Sequence, residues 1–191
     1  MSKICYIISD LDGTLVDTFE ANYQAYKTVF AEHGIDLPRE SYRACFGLKL
    51  DDMCRKLGLS TNADLLQEIK RKKAACYPDF FAFLKKNEVL VSFLHAFREE
   101  GGHLAVASTA SRKNILNVLR YLQLTELFDF LIAGEEVSRG KPDPECYLLA
   151  LKKWGAESRQ VLIFEDSAVG IAAAQQAGIP TVRIGSAFYE N

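Results

Sequence analysis

The sequence predicts an α/β fold: a doubly wound parallel sheet covered by helices on both faces and interrupted, just after its first strand, by an all-helical insert. Three observations carry that expectation. From residue 87 onward, short and near-continuous apolar runs alternate with segments of helical spacing, as buried parallel strands and their crossover helices do. From residue 17 to 86 the spacing is helical and no strand pattern is present. Ahead of that insert, Ile4-Cys5-Tyr6-Ile7-Ile8-Ser9 is an apolar run of strand length that ends on Asp10-Leu11-Asp12-Gly13-Thr14.

After the opening strand, a helix is expected from about 18 to 33, capped by Asp17 or Thr18, with Ala21, Tyr26, Val29 and Phe30 on its apolar face and Gly34 ending it. Residues about 39 to 58 and 61 to 77 again carry helical spacing, separated by Gly58 and the cluster Ser60-Thr61-Asn62. Val89 to Glu100 reads as a helix ended by Gly101-Gly102, Leu104 to Ser108 as a buried strand, and about 112 to 122 as a helix. A short strand near Phe130 to Ala133 follows, and Pro144 opens a helix running to Trp154 before Gly155. Val161 to Phe164 is a strand, Ala168 to Ala177 a small-residue helix ending at Gly178, and Pro180 to Ile184 a last strand.

A chain of 191 residues is long enough to bury a substantial core. Its net charge of −2, with Lys and Arg spread along the chain, gives no electrostatic footprint for nucleic acid or an anionic membrane. The basic cluster Lys70-Arg71-Lys72-Lys73 lies in a helical pattern and reads as a solvated face. No stretch reaches the length of a membrane span, and the N-terminal apolar run is too short for a signal-peptide core, so a soluble cytoplasmic protein is expected. Cys5, Cys45, Cys54, Cys76 and Cys146 are odd in number and widely spaced, which suits reduced core residues better than disulfides or a Cys-x-x-Cys metal site. His33, His95 and His103 are isolated and read as structural.

Chemistry concentrates at the predicted strand ends. Along an extended chain residues i and i+2 face the same way, so Asp10 and Asp12 are expected to enter one small volume, where two like charges need a cation or a shared proton. The pair taken alone could equally cap a turn. In an open parallel sheet ligands bind outside the carboxyl ends of the strands, and other polar residues are expected at those same ends. Ser108-Thr109 terminates the second core strand and Glu165-Asp166-Ser167 the Val161 strand. Between them Gly140-Lys141-Pro142-Asp143-Pro144 sets a lysine just before a helix start. Each of these, in isolation, could be a helix cap or an exposed loop residue.

The string Asp10-Leu-Asp12-Gly-Thr-Leu-Val-Asp17 directly after a strand resembles the first motif of the haloacid dehalogenase-like superfamily of phosphohydrolases. The Ser108, Lys141 and Glu165-Asp166 segments resemble its later motifs in the same order, so the resemblance covers the whole core. It implies a Rossmann-like sheet with the first strand between the Ser108 and Asp166 strands. It further implies Asp10 as nucleophile, Asp12 as general acid/base, and Ser108 with the Thr109 backbone N–H on the phosphoryl oxygens. Lys141 would neutralise those oxygens and the nucleophile. Mg²⁺ would be held by Asp10, Asp166 and the backbone carbonyl of Asp12, with Glu165 in support, directly or through water, its side chain alternating away from Asp166 along the strand. The second Asp separates this reading from dehalogenation, because a departing halide needs no proton whereas a departing alcohol does.

The insert, 17–86, sits where the superfamily's C1-type cap sits, with residues 1–16 and 87–191 forming the core. Its length resembles the four-helix caps of the phosphoglycolate phosphatase and β-phosphoglucomutase branch, and Thr18, Gly47 and Lys49 match the hinge and substrate-facing loop of that branch. Asn22 stands where the mutase has a histidine, Leu50 where it has an arginine for a second phosphate, and Asn87-Glu88-Val89 where the return hinge usually has Pro-Gly. The resemblance therefore implies a Mg²⁺-dependent phosphatase of a small phosphorylated metabolite, working as a monomer or weak homodimer. The alternatives are a phosphomutase and a non-catalytic binding protein of the same fold.

Overall fold

A computed structural model of the protein describes residues 3–185; the ends of the predicted core, residues 1–2 and 186–191, lie outside the described residues. The chain divides into two compact units, one made of the residues up to Asp17 together with those from Lys85 onward, the other of Thr18–Leu84.

The first unit is built on five parallel strands, β1 (Tyr6–Ser9), β4 (His103–Ala107), β5 (Phe130–Ile132), β6 (Val161–Glu165) and β7 (Thr181–Arg183), in the order β5-β4-β1-β6-β7. β1 is central: Ile8 pairs with Ala105 on one side and Ile163 on the other. Its Ile7 and Ile8 have no appreciable exposure, as a strand covered on both faces requires. On one face Ile8, Ala107 and Ile163 pack with Tyr147 and Ala150 of α7 (Glu145–Trp154) and Ala173 of α8 (Ala168–Gln176). On the other, Phe93 of α5 (Glu88–Glu99) meets Phe164 edge-on with ring centres 5.7 Å apart, and α6 (Arg112–Tyr121) buries Ile115, Val118 and Leu119. Gly155 ends α7 in the left-handed conformation, at φ 65°.

The second unit holds α1 (Phe19–Glu32), α2 (Arg39–Arg43), α3 (Leu50–Lys56), α4 (Ala63–Cys76) and a 3₁₀ helix, Tyr77–Phe83, around Tyr23, Phe30, Tyr42, Met53 and Ile69. The expected single stretch 39–58 is two helices, because the chain turns between them through Gly47 at φ +85°. Thr18 stands at the start of α1 without a capping bond from its side chain.

The expectation of no strands from 17 to 86 fails at both limits. β2 (Val16–Asp17) and β3 (Lys85–Lys86) pair antiparallel in the first unit, and two-residue strands are too short to carry an alternating pattern. The described cysteines are all free, and no helix among the described residues is long and apolar enough to cross a membrane.

Candidate active site

Strand order makes the carboxyl ends of β4, β1 and β6 neighbours, and the ladder continues one residue past two of them. The Asp10 N–H donates to the Phe164 carbonyl (3.0 Å) and the Ser108 N–H to the Ile132 carbonyl (3.0 Å), so both side chains leave from fixed backbone. After Asp10 the chain folds into a tight turn in which Gly13, at φ +94°, donates to the Val16 carbonyl at 2.9 Å. Glycine is required there twice over: the conformation strains other residues, and a Cβ would collide with the Asp166 carboxylate. The next residue, Thr14, donates its hydroxyl to Asp166 Oδ1 at 2.9 Å and so ties the first strand end to the sixth.

Lys141 is the buried cation of the site. Its Nζ donates to Asp10 Oδ1 (2.7 Å), Glu165 Oε2 (2.7 Å) and the Ala107 carbonyl (3.2 Å), which uses all three ammonium hydrogens. Glu165, 1% exposed, is equally saturated. Its Oε2 also accepts from the Tyr147 hydroxyl (2.8 Å), and its Oε1 accepts from the Ser167 N–H (3.0 Å) and hydroxyl (2.8 Å). Those four donors occupy the lone-pair positions of one carboxylate. Gly170 permits this arrangement, since a Cβ at that position of α8 would collide with Glu165.

The charges do not balance, and the titration directions follow. Burial pushes Asp10 well above the ordinary carboxylate range; Lys141 pulls it down, but Glu165 and Asp12 push it up again. Burial also raises Asp166, with Glu165 adding to it against the Thr14 bond. Burial works against the Glu165 carboxylate too, yet Lys141 and Ser167 outweigh it and hold it below its usual value. The Lys141 ammonium, although burial opposes its charge, is held well above the usual lysine value by the Asp10 carboxylate, with Tyr147 and Glu165 also raising it.

Asp10, Glu165 and Asp166 each bring one oxygen within 4.8 Å of the others. An all-oxygen set with surplus negative charge fits a hard divalent cation such as Mg²⁺. Asp10 and Asp166 have the freer oxygens for it, because Glu165 is committed to Lys141, Tyr147 and Ser167. The Asp12 side chain stands outside that trio and accepts from the Ser108 hydroxyl at 3.3 Å, while the same hydroxyl accepts from the Ala110 N–H at 3.0 Å.

Lys141 thus bonds Asp10 and Glu165 with Asp166 close by, and the Ser108–Asp12 pair joins this network through the charge of Asp12 acting on Asp10. Thr109 is exposed beside Ser108, with Gly134 held close against its carbonyl. Thr18, Gly47 and Lys49 belong to the helical unit: Thr18 is buried and its carbonyl accepts from Asn22, Gly47 forms the α2–α3 turn, and Lys49 is exposed at the start of α3. In the same unit Asn22 accepts from the buried Lys73 ammonium at 2.6 Å and donates to the Tyr77 hydroxyl at 3.3 Å.

Three readings of the sequence change, the first being the solvated face expected of 70–73, from which Lys73 departs by being buried against Asn22. Glu165 does not turn away from Asp166, because β6 ends at Glu165 and strand alternation no longer applies beyond it. Tyr147 and Ser167, absent from the predicted set, complete the shell of Glu165; Ser167 was readable only as a helix cap, which it also is, accepting from the Gly170 N–H at 3.0 Å.

A curated relative, the phosphorylated carbohydrates phosphatase of Thermotoga maritima, is 31% identical over 92% of this chain and 82% of its own length. The β-phosphoglucomutase of Bacillus subtilis is 25% identical over 94% of this chain and 82% of its own. Among solved structures, CbbY from Rhodobacter sphaeroides in complex with phosphate superposes with a TM-score of 0.86 at 27% identity, covering 95% of this chain and 86% of that one. The sequence profile of the haloacid dehalogenase-like hydrolases matches residues 7–184, from the first strand to past the last. With so continuous a match over the sheet that carries the network, the chain belongs to the haloacid dehalogenase-like hydrolase family.

Proposed function

We propose that the protein is a Mg²⁺-dependent phosphatase that hydrolyses a small phosphorylated metabolite of the sugar-phosphate kind through an aspartyl-phosphate on Asp10. The observation that carries this reading is the Lys141 ammonium fixed at 2.7 Å from both Asp10 and Glu165, beside Asp166 and the Ser108–Asp12 pair. A carboxylate approaching a phosphate ester in line is repelled unless positive charge compensates, and Lys141 supplies part of that charge from a position fixed before substrate arrives. Asp10, Asp166 and the Asp12 carbonyl would hold Mg²⁺, which when bound supplies the rest.

Asp10 then bonds to phosphorus as the ester oxygen leaves, and Asp12 delivers its proton to that oxygen. In the second half Asp12 takes a proton from water as the water oxygen bonds to phosphorus and the Asp10 carboxylate is released. Ser108 and the Thr109 N–H hold the phosphoryl oxygens as charge spreads over them. Thr18, Gly47 and Lys49 are proposed to read the substrate beyond its phosphate. The phosphatase named for phosphorylated carbohydrates supports the substrate class, and Leu50, where the resemblance puts the mutase's second-phosphate arginine, weighs against isomerisation.

The test is a panel of sugar phosphates and phosphoglycolate incubated with Mg²⁺, read for inorganic phosphate and for isomers. Phosphate release that EDTA abolishes is expected. An isomer without phosphate would establish a mutase instead, and no turnover of any member would remove the proposal.

A further inference from the structure

Tyr147 lies on α7 with no exposed surface, inside the apolar cluster that includes Ile8, Ala150 and Ile163. On packing alone that position suits phenylalanine, because a buried hydroxyl is costly unless bonded. Its O–H donates to Glu165 Oε2 at 2.8 Å, the same oxygen that receives Lys141 at 2.7 Å. The Lys141 ammonium also lies 5.2 Å from the centre of the Tyr147 ring, within cation–π range. One side chain thus touches both members of the pair that faces Asp10.

We infer that Tyr147 is a positioning residue for the reaction: by filling the second acceptor position of Glu165 Oε2 and walling the ammonium with its ring, it keeps Lys141 aimed at Asp10 Oδ1. The inference rests on the proposed role of Asp10 as nucleophile. Without the hydroxyl, Lys141 becomes the sole donor to that Glu165 oxygen, the carboxylate loses one of the four bonds that fix its rotation, and the ammonium follows Glu165 away from the nucleophile.

The experiment compares the parent with Tyr147→Phe, which keeps the ring. Its fold should survive by circular dichroism. On the best substrate kcat should fall roughly tenfold, the loss of one hydrogen bond to a charged group, while KM changes less than about twofold. Independently of turnover, the ¹H–¹⁵N signal of the Lys141 ammonium, sharpened by burial, should shift or broaden. Replacing Tyr147 with 4-aminophenylalanine returns an N–H donor and should restore both.

A Tyr147→Phe protein with the parent's kcat and an unchanged Lys141 signal would overturn the inference. So would a variant that unfolds and regains its fold, but not the Lys141 signal, with 4-aminophenylalanine, since the role would then be structural. Because the ammonium signal is read without substrate, a parent that turns over nothing on the panel counts against the phosphatase reading alone.

Discussion

Asp129, exposed just before β5 at the amino end of the sheet, and Asp10, buried just after β1 at the carboxyl end, are both carboxylates bonded to a cation, and their surroundings push them in opposite directions. Asp129 has a donor for nearly every lone pair: Arg98 Nη1 at 2.6 Å, His103 Nδ1 at 3.0 Å and Trp154 Nε1 at 3.4 Å. Burial alone would raise it, but those bonds outweigh burial and hold it below the usual range. Asp10 has Lys141 as its cation and two further carboxylates, Glu165 and Asp12, working against it, so burial prevails. At the amino end the Asp129 carboxylate is satisfied by neighbouring side chains. The carboxyl end is short of positive charge, and that shortage separates a candidate site from a structural ion pair.

The sharpest way to break the contrast is at Asp10, the proposed nucleophile. Asp10→Asn keeps the shape of the side chain and should abolish phosphate release, by at least about a thousandfold, with an unchanged circular dichroism spectrum. Retention of more than a few per cent of the parent's activity, with contamination excluded, would show that Asp10 does not attack phosphorus. Asp12→Asn removes the proposed proton carrier and leaves the proposed attacking group in place. It should cost about 10²–10⁴-fold on alkyl phosphates and less in the phosphorylation step on p-nitrophenyl phosphate, whose leaving group needs little protonation. Rapid-mixing measurement of that step decides it, and equal damage on both substrates would remove the general-acid role.

The third prediction uses the sign of the shifts. Asp10 has a folded-state pKa above its unfolded value, so its contribution to stability is present at low pH and is lost as pH rises through the folded value. A divalent cation needs the ionised form. Mg²⁺ should therefore raise the melting temperature little near about pH 4 and progressively more toward neutrality, with proton release on binding. A Mg²⁺ shift independent of pH would mean that the cation does not meet Asp10.

Asp129 runs the other way: its depressed pKa contributes stability above the ordinary carboxylate value that is lost as pH falls through the folded one. Arg98 is 38% exposed, so the pair is screened, and Asp129→Asn should lower the melting temperature near neutrality by only about 2–4 °C and leave kcat unchanged. A large loss of activity there would contradict the view of that end as purely structural.

Asp10, Ser108, Glu165 and Asp166 were legible because each sits where an apolar run stops, a position that sequence marks plainly and that strand order then brings together, whereas Lys141 stands in a loop and was marked by the resemblance alone. Tyr147 was not legible. In the sequence it is one more aromatic in a helical apolar pattern, and its meaning depends on Glu165, eighteen residues away across a helix and a strand. The contact of Glu165 with Lys141 was not legible either, because a glutamate beside an aspartate at a strand end carries no sign of the lysine it faces. β2 and β3 escaped for the opposite reason, being too short to have a pattern at all.

Those two short strands have a consequence for the architecture as a construction. Asp17 and Lys85 are direct partners in an antiparallel pair, so the chain leaves the sheet-bearing unit and re-enters it at the two sides of a hairpin whose loop is the whole helical unit. A two-residue Asn-Gly turn is the natural closure for such a pair. Joining Asp17 to Lys85 through that turn should give an autonomously folding core, since loop length costs little in closure entropy and the excised residues carry their own apolar cluster with them. Such a minimal chain would show how much of the catalytic chemistry resides in the sheet, and would offer a permissive point at which unrelated helical modules could be exchanged.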